Sequence, residues 1–162
     1  MAWFRREAVA PVVPPAPEPD RGDSPEALRA AITSVNRMVN AAAGRLPLRA
    51  VVTARRITDV LAEVVDTSEV RPLDVYAVLS VRGAVTDYLP TTLRTFLAVD
   101  ESLVDVPRAS GRTPAESLLE QLDALEQSAV LVLEATRQQD VDALMTQGAF
   151  LRTKFSGSDL QL

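Results

Sequence analysis

The chain has no cysteine and no histidine. Without thiols there is no disulfide, no thiolate metal site and no cysteine nucleophile, and the redox compartment stays open with a lean toward the cytosol. Without imidazole, His-based triads, zinc-hydrolase sites and the Glu-x-x-His pairs of di-iron bundles are excluded. Only carboxylates, hydroxyls and arginines remain for chemistry, so an enzyme is the less expected class. No catalytic, cofactor-binding or metal-ligating residue is assigned from the sequence.

Aromatic residues are scarce at 4% of the chain, although apolar residues make up 47%. A core built from Leu, Val and Ala suits close-packed helices better than a β-sandwich, which draws on aromatics and alternating β-branched residues. Lys154 is the single lysine. No apolar run reaches the ~18 residues of a transmembrane helix. The first residues lack the apolar core, roughly 7–15 residues long, of a secretion signal. A cytoplasmic protein, with at most a peripheral membrane contact, is therefore expected.

The 162 residues fit one domain with a sizeable core. The net charge of −5 is unevenly spread: residues 1–99 balance to +1 and residues 100–162 to −6. An acidic second half opposes nucleic-acid binding, which needs a basic field.

Residues 1–23 read as a disordered, proline-rich tail, with Pro11, Pro14, Pro15, Pro17 and Pro19 favouring an extended linker. Its Trp3-Phe4-Arg5-Arg6 segment holds the chain's sole tryptophan. That segment is a candidate anchor for a partner groove or a membrane interface.

The helical domain is expected over residues 24–156, with a frayed tail at 157–162. Ser24 as N-cap, Pro25 and Glu26 start the first helix, whose stripe is Leu28, Ala31, Ile32, Val35, Val39 and Ala42, with Gly44 as a left-handed stop. A second helix from Pro47 carries Ala50, Ala54, Ile57, Leu61 and Val64 and should run antiparallel to the first. Its Asp59, Glu63 and Asp66 read as a solvated charged face rather than a metal site. A third pattern runs from Leu73 to Leu89 with Val75, Val78, Leu79, Val85 and Leu89 as apolar positions. Gly83 within it suggests close approach of a neighbouring helix.

Thr113-Pro114-Ala115-Glu116 is a capping box with proline at the first helical position. It opens a helix striped by Leu118, Leu119, Leu122, Leu125, Ala129, Val132 and Leu133, some of whose acidic first-half residues could meet arginines of the first two helices, although the sequence does not pair them. Asp140 reads as the N-cap of a last helix with Val141, Leu144, Met145, Gly148, Leu151 and Phe155. With no strand alternation, the expectation is an all-α antiparallel bundle of five to six helices.

Two segments stand out as candidate sites. Gly111-Arg112-Thr113 opens a helix whose free N–H groups and dipole favour an anion. Tyr88-Leu89-Pro90-Thr91-Thr92 interrupts a helical pattern with proline and so reads as an elbow. There Tyr88, Thr91, Thr92 and Arg94 could present hydroxyls and a cation in a cleft, but the expectation is that Thr91 and Thr92 cap carbonyls freed by the ring.

Asp87-Tyr88-Leu89-Pro90-Thr91-Thr92-Leu93-Arg94-Thr95-Phe96 resembles the Tyr-Leu-Pro-x-Thr-Leu-x-x-aromatic segment of the XpaC family. That family is named for 5-bromo-4-chloroindolyl phosphate hydrolysis. Leu118–Leu122 and Gln147–Leu151 extend the resemblance over roughly residues 73–155. It implies a helical architecture and an envelope-stress or toxic-anion-resistance context, and the family name implies phosphate-ester hydrolysis. No family catalytic motif is found in this chain. The expectation is a non-enzymatic helical interaction protein that meets another protein through an apolar groove or through Trp3-Phe4. The alternatives are a phosphate-ester hydrolase and a self-assembling structural protein. The sequence names no partner, cofactor or oligomeric state.

Overall fold

A computed structural model describes residues 22–139 and 141–156. Trp3, Phe4, Arg5, Arg6, the cap assigned to Asp140 and the tail at 157–162 lie outside the described residues. The described chain is an all-α bundle: α1 (Pro25–Ala42), α2 (Leu48–Asp66), α3 (Val75–Gly83), α4 (Leu89–Leu97), α5 (Pro114–Gln138) and α6 (Val141–Ser156). No strand occurs among the described residues.

Helix starts follow local chemistry. The Ser24 hydroxyl accepts the Ala27 N–H at 3.2 Å, and the Asp74 carboxylate accepts the Tyr76 N–H at 2.8 Å. Thr113 and Glu116 close a reciprocal capping box at the start of α5. Helix ends are closed by arginines from elsewhere in the chain. Arg45 donates to the Leu97 carbonyl at 2.6 Å, and Arg71 donates to the carbonyls of Thr136 at 2.6 Å and Arg137 at 3.3 Å. These cations meet carbonyls of the last helical turn, at the negative end of its dipole.

The apolar stripes meet in one core. Leu28, Ile32, Val35 and Val39 of α1 are buried, as are Ala50, Ala54, Ile57, Leu61 and Val64 of α2 and Leu118, Leu122, Leu125, Ala129 and Val132 of α5. The recurring three- and four-residue spacing puts each set on one face.

Side-chain pairs fix the helix directions. Arg29 meets Asp66, Asn36 meets Thr58 and Asn40 meets Arg55, so α1 and α2 run antiparallel. Arg49 pairs with Asp123 at 2.8 Å, Arg56 with Glu126 at 3.1 Å and Glu63 with Arg137 at 2.8 Å. The partner numbers rise together, so α2 and α5 run parallel within the bundle. The long return through α3 and α4 permits this. The acidic first half of α5 thus meets arginines of α2, and Glu63 and Asp66 lie on a solvated, ion-paired face.

The elbow is a π turn. Ala84–Tyr88 form one wide turn between α3 and α4, and the Leu89 N–H reaches the Ala84 carbonyl, five residues back. Gly83, Ala84, Tyr88 and Leu89 all keep right-handed helical angles. The rod therefore continues through Pro90. The extra residue shifts the carbonyl register where the proline ring would otherwise strike the preceding turn. The side chains do not act as expected here. The Thr91 hydroxyl donates to the Asp87 carboxylate at 3.3 Å, and it is Thr86 that reaches a backbone carbonyl, that of Arg82, at 2.8 Å.

Two expected turns of α3 and α6 are rephased. Val75 and Leu79 are 60% and 38% exposed, while Ala77, Ser80, Val81, Ala84 and Val85 face the core. In α6, Leu144, Leu151 and Phe155 are buried and Met145 is 45% exposed. Gly44 also departs from expectation: it has no positive φ, and α1 is closed by the Arg45 and Leu46 N–H groups on the Ala42 carbonyl. The positive-φ positions among the described residues are Gly111 and Gln139, the latter closing α5.

Candidate functional site

The exposed apolar side chains of α3 and α6 frame a cleft. Tyr76, Leu79, Ser80, Arg82 and Gly83 of α3, Tyr88 of the π turn, and Met145, Gly148, Leu151 and Arg152 of α6 enclose about 270 Å³. The rephasing creates it. Each helix turns its small residues toward the other and leaves a larger apolar residue, Leu79 or Met145, at the rim.

Tyr88 is one wall. Its ring stacks on Phe155 with centroids 5.3 Å apart and planes 28° from parallel. A Cβ added at Gly83 would lie 3.0 Å from Tyr88 Cε2. Gly83 therefore makes room for the tyrosine five residues later on the same rod, not for a neighbouring helix. Burial holds the Tyr88 hydroxyl above its ordinary value of 10.0, and Asp87 pushes in the same direction while Arg152 opposes it.

The floor is small and partly polar. Gly148 faces Ser80, whose Oγ would be 3.7 Å from a Cβ at that glycine. Ser80 is 4% exposed, and its Oγ is a buried side-chain oxygen without a hydrogen-bond partner among the described residues. Behind it lies a pinhole of about 10 Å³ bordered by Leu61, Ser80, Ser128 and Leu151. Ser128 is satisfied, since its Oγ accepts the Gln147 amide at 2.7 Å.

The rim carries both charge signs. Arg82 is bound to Asp23 at 2.8 Å. Arg152 is close enough to act on the Tyr88 hydroxyl. Asp87 is exposed beside Tyr88, and Asp142 is exposed one turn before Met145. The Asp23–Arg82 pair has a topological consequence: the chain enters α1 at the edge of this cleft.

Two larger hollows lie elsewhere on the bundle. One, of about 440 Å³, runs along the Arg49–Asp123 pair. Another, of about 390 Å³, is bordered by Asp23, Glu69 and Arg71, with Glu69 paired to Arg29 and Arg71 committed to the end of α5. The first is lined mostly by charged side chains that already have partners, and the second adds Val70, Leu73 and Val78 to its charged residues, while the α3–α6 cleft is bounded by Leu79, Met145 and the Tyr88 ring together with Arg82 and Arg152.

At the candidate anion site, the Glu116 carboxylate accepts the Thr113 N–H at 2.9 Å and the Thr113 hydroxyl accepts the Glu116 N–H at 3.1 Å. Arg112 is paired with Glu120. Gly111 supplies the positive φ of the turn before them. The chain's own carboxylates thus occupy the positions an external anion would take. Of the elbow residues, Tyr88 alone reaches the cleft, while Leu89, Pro90 and Thr92 are buried. No group of three or more acidic side chains able to hold a metal occurs among the described residues. No described helix is long and apolar enough to cross a membrane.

Sequence periodicity missed Ser80 and Met145 as site residues. The available signal was the pair of glycines, Gly83 and Gly148, in the middle of two helical patterns that face each other. Comparison with protein-family models, with curated proteins and with solved structures gives no match to this chain.

Proposed function

We propose that the chain is a non-enzymatic, cytoplasmic helical interaction protein that docks a segment of another protein in the cleft between α3 and α6. The observation that carries this reading is the pairing of exposed Leu79 and Met145 across a hollow walled by the Tyr88 ring. A volume of about 270 Å³ lies just below the ~300–1,000 Å³ of small-molecule pockets and suits one large side chain that anchors a peptide. Tyrosine and methionine at the edges supply contact area with little ordering cost and an adaptable fit. The fitting partner is a short segment presenting one large apolar side chain.

The test is selection of displayed random peptides on the full chain, counter-screened against Met145→Glu and Leu79→Glu. Both substitutions are on exposed helix positions and should preserve helicity. Enriched peptides should share one aromatic or large aliphatic anchor, and their affinity should drop at least tenfold on either variant. Peptides that bind both variants as well as the parent, or no enrichment at all, would remove the reading.

A further inference from the structure

We infer that the segment docked between α3 and α6 is an acidic peptide: a carboxylate two or three residues from its apolar anchor is received by the Arg152 guanidinium and the Tyr88 hydroxyl. This rests on the reading of the cleft as a docking site and adds the charge of what docks there.

The first support is the sign of the lining. The chain as a whole is acidic, with 22 acidic against 17 basic side chains. Both other hollows include carboxylates, Asp23 and Glu69 in one and Glu116, Glu120 and Asp123 in the other. The α3–α6 cleft departs from this pattern. Its charged lining is Arg82 and Arg152, with no carboxylate among the described residues, and the exposed Asp87 and Asp142 are not part of it. A concave site lined by one sign of charge draws in the opposite sign and fixes its register.

The second support is that one of these cations is uncommitted. Arg82 is held by Asp23 at 2.8 Å. The Arg152 guanidinium is exposed and forms no ion pair with a described residue. Its planar fork of N–H groups matches a carboxylate in a bidentate pair, which a point charge would not. Apolar walls beside such a pair lower the local dielectric and strengthen it.

The third support is a neighbouring donor. Burial keeps the Tyr88 hydroxyl protonated at neutral pH, and Arg152 is close enough to act on it. A neutral phenol and a guanidinium both donate, so together they face an acceptor.

The spacing follows from α6. Met145 at the apolar rim and Arg152 lie seven residues apart on this helix, about 10 Å along its axis. An extended peptide covers that distance in about three residues, and the length of the arginine side chain reduces the need to two.

The probes are the peptides selected on the full chain from the random library. They should be enriched for Asp or Glu two or three residues from the anchor. Arg152→Gln should raise the dissociation constant of such a peptide about tenfold. The same peptide with its acid replaced by the amide should bind more weakly and should not sense the substitution. Raising salt from about 50 mM to about 500 mM should weaken the parent complex several-fold and the Arg152→Gln complex hardly at all. Tyr88→Phe keeps an aromatic ring against Phe155 and should weaken the acidic peptide alone. Selection on Arg152→Glu should exchange acidic for basic residues at the same position. Arg152 is exposed, so its variants should stay helical by circular dichroism.

Anchored peptides without an acidic position, or acidic peptides that bind Arg152→Gln and Tyr88→Phe as tightly as the parent, would overturn the inference while keeping the docking site. Binding to phosphatidylserine vesicles that is lost in Arg152→Gln would assign the cation to a lipid surface and overturn it as well. A selection that enriches nothing removes the docking site, and the acidic partner with it.

Discussion

Tyr88 and Phe155 lie face to face, 67 residues apart in sequence, with ring centroids 5.3 Å from each other. The contact ties the π turn to the last turns of α6. It also fixes the ring that occupies the space above Gly83.

Gly83→Ala should therefore destabilise the protein, although alanine is the better helix former by ~1 kcal/mol. The new Cβ would stand 3.0 Å from Tyr88 Cε2, and the ring is held by its stack on Phe155. Overpacking of this kind costs about 1–3 kcal/mol, which cancels or exceeds the propensity gain. Phe155→Ala alone should cost about 3 kcal/mol. In that background the tyrosine can move and Gly83→Ala should become stabilising. Urea unfolding of the two single variants and the double variant measures this change of sign.

The Tyr88 hydroxyl supplies a pH prediction. Its folded value is raised above 10.0, first by burial and then by Asp87. The neutral hydroxyl is thus the form the folded state prefers. Its contribution is whole below the ordinary tyrosine value and is lost as pH rises through the ordinary and then the raised value. Tyr88→Phe should flatten this part of the alkaline loss of stability. The difference between the tyrosinate absorbance titrations of parent and variant should show one group ionising above 10.0.

Ser80→Ala should stabilise the protein by about 1 kcal/mol. The Ser80 hydroxyl is buried without a partner among the described residues, so its removal ends a desolvation cost, and alanine favours the helix. Denaturant midpoints would read this. A loss of stability would mean that the hydroxyl is satisfied by a water in the pinhole behind it.

Thr113→Ala should cost about 1 kcal/mol through loss of the α5 N-cap. The faster amide exchange should be confined to the first turn, around Glu116, because the rest of α5 is anchored through its core stripe. Equal acceleration along all of α5 would contradict a local role for the cap.

Much of this architecture was legible because it is local. Ser24, Pro25 and the Thr113–Glu116 box mark helix starts through groups within four residues of one another. The stripes of α1, α2 and α5 repeat over enough turns to define one face. Shorter or interrupted patterns misled. In α3 the residues Val75 and Leu79 offer a plausible apolar face, but the core takes Ala77, Ser80 and Val81, because α6 packs against the smaller residues. Gly83 read as room for a neighbour, and the ring it accommodates comes from a wide turn that no spacing rule announces. The proline was visible, but its remedy was not, because a π turn costs one residue of register and leaves no composition mark.

The sequence alone determined the class of the protein: missing thiols and imidazoles narrowed the chemistry, and aliphatic periodicity with strong caps required helices. Tertiary structure decided which faces those helices share. It set α2 parallel to α5, gave the α5 cap its own carboxylate in place of an external anion, and opened a cleft where two glycine-bearing helices meet. The physical reason is one of range. Caps and periodicity act within a few residues, whereas a cleft exists through the relative rotation of two helices, which is set by packing across the whole core.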